Sequence, residues 1–306
     1  MKLAYEIVKR SILSPLEMEQ VKSLEEVCNS HDQIVLKLNW NMLRSREGTE
    51  ITDLLAYVDG RLVGFLGLYM IEAKEIELSG MVHPEYRRQG IFREMFRQAK
   101  EEAVRKQLDT ILIINPGSSE SGKAFSEALF ARYKISEYYM ERQHEYEDKQ
   151  PSTIQLKLRL ATIDDLAELI RFDQEGFSSS PEDAEQYEKK ALATEKVTIL
   201  MAEIKEKPVG KILLRENETE IFFYGFVVSK ELRGKGYGRK ILNDSITYAK
   251  TILQKEKQAL EVAATNAGAL YLYQSCGFVS IRQDDYYELR IDISERVDLE
   301  KLQSGN

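Results

Sequence analysis

The 306-residue sequence has little cysteine, little histidine and no surplus of positive charge. Its two cysteines, Cys28 and Cys276, fall in different halves and cannot staple two domains, so both are read as reduced thiols. The three histidines, His31, His83 and His144, are widely spaced, which leaves no visible metal cluster or Cys/His nucleophile pair; no metal is expected. A net charge of -8 argues against a nucleic-acid partner, which calls for a basic face. No stretch reaches the roughly 18 uncharged apolar residues of a membrane span. Glu6 and Lys9 also stand where a signal peptide needs an apolar run. With 43% hydrophobic residues, the expectation is a folded cytoplasmic protein with no membrane partner, monomeric or homodimeric.

What the sequence does contain is a glycine-rich turn between two regular elements. From Phe226 to Gly238 it reads F-V-V-S-K-E-L-R-G-K-G-Y-G. Gly234, Gly236 and Gly238 let the backbone turn so that successive N–H groups face one point, an anion nest. A helix is predicted from Arg239, because Leu242, Ile246, Ala249 and Leu253 form one apolar stripe while Lys240, Asp244 and Lys250 lie off it. Arg233, Lys235, Arg239 and Lys240 place cations near the helix start, where they oppose its dipole, and an anionic ligand explains them better than a solvated face.

Downstream, Asn266 to Phe278 reads N-x-x-A-x-x-L-Y-x-x-x-G-F. With R-x-x-G-x-G before it, the chain resembles the GNAT superfamily of acyl-CoA-dependent N-acyltransferases. The first signature matches that family's pyrophosphate loop, and Asn266, Ala269, Leu272, Tyr273, Gly277 and Phe278 match its second. The pattern also occurs earlier: Val63-Gly64, Val82, Arg87, Gly90 and Ala103 precede Val209-Gly210, Val228, Arg233, Gly236 and Ala249 by 146 positions each. So long a period means duplicated domains and not a solenoid. The expected fold is α/β with mixed sheets: two tandem GNAT-like domains, residues 1–148 and 154–306, each reading β-α-β-β-β-α-β-α-β with a mostly antiparallel central sheet. The break is placed in the polar, proline-containing run from Glu147 to Thr153.

The resemblance implies acetyl-CoA as acyl donor and a small-molecule amine as acceptor. It implies a cofactor site of Phe226, Val227, Val228, Arg233, Gly234, Lys235, Gly236, Tyr237, Gly238, Asn266 and Tyr273, with backbone N–H groups near Val227 and Val228 polarising the thioester carbonyl. Tyr273 is the expected general acid, since a phenol with a pKa near 10 can return a proton to a thiolate. Glu220 shares a strand face with Phe222, Tyr224, Phe226 and Val228 and is the candidate base, set against a bland reading as an exposed strand-end carboxylate. Direct attack in a ternary complex is expected, because no cysteine or serine has an identifiable activating partner. The first half departs from the pattern: Phe92 replaces the last small residue of the loop, Ala128 falls opposite Tyr273, and Arg132-Tyr133 stands where Gly277-Phe278 does. It is expected to be a degenerate domain. The rival readings are a protein or peptide N-acetyltransferase and a non-catalytic acyl-CoA-binding regulatory module.

Overall fold

The computed structural model describes residues 3–72, 74–146 and 153–292. In chain order the elements of the first half are β1 (Glu6–Arg10), α1 (Pro15–Asp32), α2 (Trp40–Arg44), β2 (Asp53–Val58), β3 (Arg61–Glu72), β4 (Glu75–Val82), α3 (Ile91–Arg105), β5 (Thr110–Pro116), α4 (Glu120–Ala128) and β6 (Arg132–Arg142). The second half follows with β7 (Lys157–Leu160), α5 (Leu166–Phe177), α6 (Pro181–Leu192), β8 (Val197–Ile204), β9 (Lys207–Glu216), β10 (Ile221–Val228), α7 (Tyr237–Thr251), β11 (Gln258–Ala263), α8 (Ala267–Gln274) and β12 (Phe278–Arg290). The expected order is present twice, with a second short helix after the first in each half.

Local sequence explains the boundaries. Ser14 caps α1 in a reciprocal capping box with Glu17, and Thr162 does the same with Asp165 ahead of α5. Asp59-Gly60, both at positive φ, turn β2 into β3, whereas β8 and β9 are joined through Lys205 and Glu206 in the left-handed region. In α7 the stripe of Leu242, Ile246 and Ala249 is buried against Ile212, Leu214, Phe223 and Leu260. This helix starts at Tyr237, two residues before the predicted Arg239, because Gly236 at φ 86 already serves as its N-cap.

The chain forms two compact units, Met1–Ser136 with Arg282–Asn306, and Glu137–Ile281. They differ from residues 1–148 and 154–306 by an exchange of final strands. Residues Asp284 to Arg290 of β12 run antiparallel to Pro116 to Thr110 of β5 and complete the first unit's sheet. Glu137 to Glu141 of β6 run antiparallel to Ala263 to Ala259 of β11 and complete the second's. Tyr287 and Ile291 accordingly belong to the first unit's core, and Met140 to the second's. Of the expected break, residues 147–152 lie outside the described residues. Among the described residues no helix is long and apolar enough to cross a membrane.

Candidate active site

In the second unit β10 is antiparallel to β9 and parallel to β11, but it pairs with β11 only at Ile221, Phe222 and Phe223. Beyond Phe223 the two parallel strands part, and β10 continues to Val228 with one backbone edge open. A bulge between Tyr224 and Val227, with Gly225 at φ 56, re-aims this stretch. The ladder decides which amide faces the opening. Val227 is in register with Lys211, and the Ser229 N–H donates to the Val209 carbonyl at 2.9 Å. By the alternation of an antiparallel pair, the Val227 N–H points into β9 and the Val228 N–H toward the open edge. Of the two expected carbonyl-polarising amides, Val228 has the right direction.

The chain then turns through Gly234 at φ 72 and Gly236 at φ 86 into α7, whose start carries no side-chain cap. The first-turn amides of such a helix have no internal partner and gather positive dipole. A β-carbon placed on Gly238 would lie 3.2 Å from Leu272, 3.8 Å from Val228 and 3.9 Å from Phe226. Strand end, helix start and α8 therefore pack so closely at Gly238 that a side chain there would have to displace Leu272. Uncapped amides at the start of α7, reached through two glycines at positive φ, suit an anionic pyrophosphate, so the residues present fit coenzyme A.

Some expected ligands have other work. Arg233 donates from Nε to the Val228 carbonyl at 2.8 Å and from Nη2 to the Glu175 carbonyl at 3.4 Å, bracing the loop instead of reaching freely outward. Arg87 does the same in the first unit, donating to the Val82 carbonyl at 2.9 Å and clamping Asp32 bidentately at 2.8 and 2.7 Å. Lys240 is held by Asp244 at 2.7 Å. Asn266 is the N-cap of α8, its side chain accepting from the Ala269 N–H at 3.1 Å. Lys235 is exposed and Tyr237 half-buried beside the loop. Gly277, at φ 88, is dictated by packing, since a β-carbon there would press into the Tyr146 ring.

Tyr273 packs on the second core with its ring edge-to-face against Phe278, centroids 6.1 Å apart. Burial, with a smaller contribution from Cys276, pushes its pKa up to about 12, and its hydroxyl has no hydrogen-bond partner among the described residues. Glu220 stands just before β10. It accepts from the Tyr139 hydroxyl at 2.9 Å and from Asn217 at 3.2 Å, with Lys257 at 3.7 Å. Eight residues separate it from Val228, roughly 20–25 Å along a strand, which does not fit direct proton abstraction at the opening. Both cysteines are free and buried. Burial raises the Cys28 thiol to about 11.

Sequence reasoning missed a charged cluster under α5 and α6. Lys211, fully buried on β9, donates to Asp173 at 2.5 Å and to Glu188. Asp173 Oδ2 and Glu188 Oε2 are buried without a partner. Burial first, then the neighbouring Asp173 carboxyl, raises the Glu188 pKa from 4.5 to about 7, so a proton held between the two carboxyls accounts for both unpartnered oxygens. The available signal was the lysine interrupting P-V-G-K-I-L-L, 146 positions after Phe65.

The first unit has the same splay, β4 pairing with β5 only from Glu75 to Leu78, but β4 stays in register with β3 through Leu78 to Met81, with no bulge in that stretch. Arg88, at φ 63, stands where the second unit has Gly234. The Phe92 ring, in place of Gly238, packs edge-to-face on Phe125 at 4.8 Å. Structure also corrects one register: the N-caps Ser119 and Asn266, and the left-handed residues Phe130 and Gly277, are each 147 positions apart. Ser126, not Ala128, therefore lies opposite Tyr273, and Phe130-Ala131 opposite Gly277-Phe278.

A sequence model described as the acetyltransferase (GNAT) family matches residues 15–124 and 163–278. A spermidine N(1)-acetyltransferase of Vibrio cholerae is 39% identical over 56 residues, 18% of this chain and 32% of that relative, so the match spans about a third of its length. A GCN5-related N-acetyltransferase from Sphaerobacter thermophilus superposes with a TM-score of 0.73 at 18% identity, covering 94% of this chain and 98% of the other. A tandem GNAT protein from the clavulanic acid biosynthesis pathway gives 0.66 at 16% identity, with the same coverage. At these identities the likeness of the structures concerns the fold.

Proposed function

The chain belongs to the acetyltransferase (GNAT) family, and we propose that its second unit transfers an acetyl group from acetyl-CoA to a primary amine of a small molecule, by direct attack with both substrates bound. The observation that carries this reading is the convergence of Phe226, Val228 and Leu272 on Gly238 at the uncapped start of α7. Acetyl-CoA supplies an acyl group activated as a thioester. The amides of Gly236, Tyr237 and Gly238, with Lys235 beside them, would hold its anionic end, and Phe226 and Leu272 would flank its arm. The Val228 N–H, on the open strand edge, is the donor available to a carbonyl there. Tyr273 keeps its proton at neutral pH and is the group able to return one to a departing thiolate. Glu220 is assigned to fixing Tyr139 and Lys257, and the amine gives up its proton to water. With both thiols buried, a covalent acyl-enzyme has no exposed sulfur nucleophile among the described residues.

The first unit, by this reading, binds no acyl-CoA and serves as scaffold. The test is calorimetric titration with acetyl-CoA together with CoA release on a panel of primary amines. The local likeness to a spermidine acetyltransferase puts polyamines in that panel, and short peptides cover the protein-directed alternative. Absence of acetyl-CoA binding would overturn the assignment. Tight binding without release on any amine would replace it with a non-catalytic acyl-CoA-binding module.

A further inference from the structure

On the α5/α6 side of the second unit, Arg215 of β9 reaches across its strand partner Phe222 and over the next same-face residue of β10, Tyr224. Its guanidinium lies 4.9 Å from the Phe222 ring centroid and 5.4 Å from that of Tyr224. Phe222 stacks in turn on Tyr139 of β6, with centroids 6.5 Å apart. Tyr187, projecting from α6, is close enough to Tyr224 and Arg215 for each to affect its ionisation. Arg215, the Tyr187 hydroxyl and the Tyr224 hydroxyl have no hydrogen-bond or ion-pair partner among the described residues. Arg215 is exposed, yet its guanidinium is set on two rings with its donor fork uncommitted.

From this we propose that Arg215, with the Tyr187 and Tyr224 hydroxyls, is a subsite for a carboxylate carried by the amine acceptor. The proposal rests on the acyl-transfer reading for where the amine goes. A guanidinium fork and two hydroxyl donors match the two oxygens and single charge of a carboxylate. A phosphate dianion is less well served, because one cation is present and the Glu188 and Glu220 carboxyls stand on the same side. Burial keeps both phenols protonated as donors: the Tyr224 pKa is pushed up to about 12, and that of Tyr187 is raised as well.

Position sets the length of the acceptor. Arg215 spans the Phe222–Tyr224 level of β10, and the open edge at Val228 lies about four residues further on, roughly 10–13 Å. After allowance for the hydrogen bonds at each end, amine and carboxylate must be roughly 4–7 Å apart. An α-amino acid is too short. An ω-amino acid of about four to six carbons, or the side-chain amine of a lysine-like molecule, fits.

The test is calorimetric binding to the full chain saturated with CoA, using ω-amino acids of two to eight carbons, lysine, the methyl ester of each, and O-phosphoethanolamine. Acids of four to six carbons should bind about 10- to 100-fold more tightly than their esters, as expected for charge-assisted hydrogen bonds. Arg215→Met should collapse that ratio to near one, and Arg215→Lys should restore only part of it. Equal binding of acids and esters, a ratio unchanged in Arg215→Met, a preference for glycine or tighter binding of O-phosphoethanolamine would each overturn the proposal. CoA release from acetyl-CoA, run on the same panel, separates the two readings. Arg215-dependent binding without any release sinks acyl transfer and keeps the subsite, while equal acetylation of acids and esters does the reverse.

Discussion

Replacing Glu188 by glutamine should make the second unit more stable at pH 8 and remove a component of its pH dependence. The side chain is fully buried, hydrogen-bonded by Lys211 and next to Asp173. In the unfolded chain it titrates near 4.5; in the folded chain burial and Asp173 raise it to about 7. Below pH 4.5 both states hold the proton, and the favourable contribution of this raised pKa is fully present. Between 4.5 and 7 the unfolded chain has released the proton while the folded one retains it, so stability falls as pH rises, by about 1.4 kcal/mol per unit. The total loss is on the order of 3 kcal/mol, complete once pH has passed through 7. Glutamine has no proton to release, and its amide can donate to the free Asp173 oxygen while its carbonyl accepts from Lys211. Urea denaturation of both proteins from pH 4.5 to 8.5 gives the difference directly, and the slopes of carboxyls outside the cluster cancel. A difference that does not change with pH, or one that turns against glutamine as pH rises, would refute the shared-proton description of the cluster.

Gly236→Val should abolish acetyl-CoA binding, because φ 86 is hostile to a β-branched residue and the β-carbon would lie 3.2 Å from Ile154; Gly90→Val should barely alter it, and calorimetry compares the two. Tyr273→Phe should lower kcat by roughly 10²- to 10⁴-fold with acetyl-CoA affinity little changed, and an unchanged kcat under chemistry-limited conditions would remove the phenol from the mechanism. Residues 1–146 expressed alone should aggregate or remain partly unfolded, because β12 is missing and β5 is left with an unpaired edge; a soluble, cooperatively melting fragment would contradict the strand exchange. Titration of the intact chain with acetyl-CoA should give a stoichiometry near one, and two equivalent sites would restore the first loop as a ligand site.

Much of the architecture was legible because periodicity and punctuation carry it. The 146-residue offset marked the duplication, and the Leu242-Ile246-Ala249 stripe marked α7. The strand exchange was not legible. E-Y-Y-M-E-R from Glu137 and D-Y-Y-E-L-R from Asp285 are so alike that pattern alone gives β5 and β11 no reason to choose between them. The candidate site was half legible for a related reason: a motif shows which residues recur, not which way they face. Arg233 and Asn266 recur in the signatures because a loop needs bracing and a helix needs a cap. Period-two alternation puts Glu220 on one strand face with Val228, but the bulge between Tyr224 and Val227 turns Phe226 and Val228 to the other face, and distance along the strand separates them further. Lys211 was visible as a charge in an apolar strand, but its partners come from α5 and α6, which no local window contains.

Comparison of the two units separates what the fold requires from what the second unit alone keeps. Both retain an arginine tied to the last carbonyl of the strand before the loop, a glycine N-cap at φ 86 opening the next helix, and a splay between parallel strands. These features hold a strand, a turn and a helix together whether or not a ligand binds. Only the second retains the bulge, a glycine at the first left-handed turn position, the side-chain-free Gly238 and a phenol on the following helix. In the first unit Arg88 takes a backbone conformation that L-residues avoid, at a cost on the order of 1 kcal/mol, while the Phe92–Phe125 contact returns a comparable amount. Replacing the two glycine positions by Arg88 and Phe92 is thus nearly neutral for stability. A unit relieved of ligand binding can accumulate such changes without losing its fold, and the features that remain intact only in the second unit are those that acyl transfer needs.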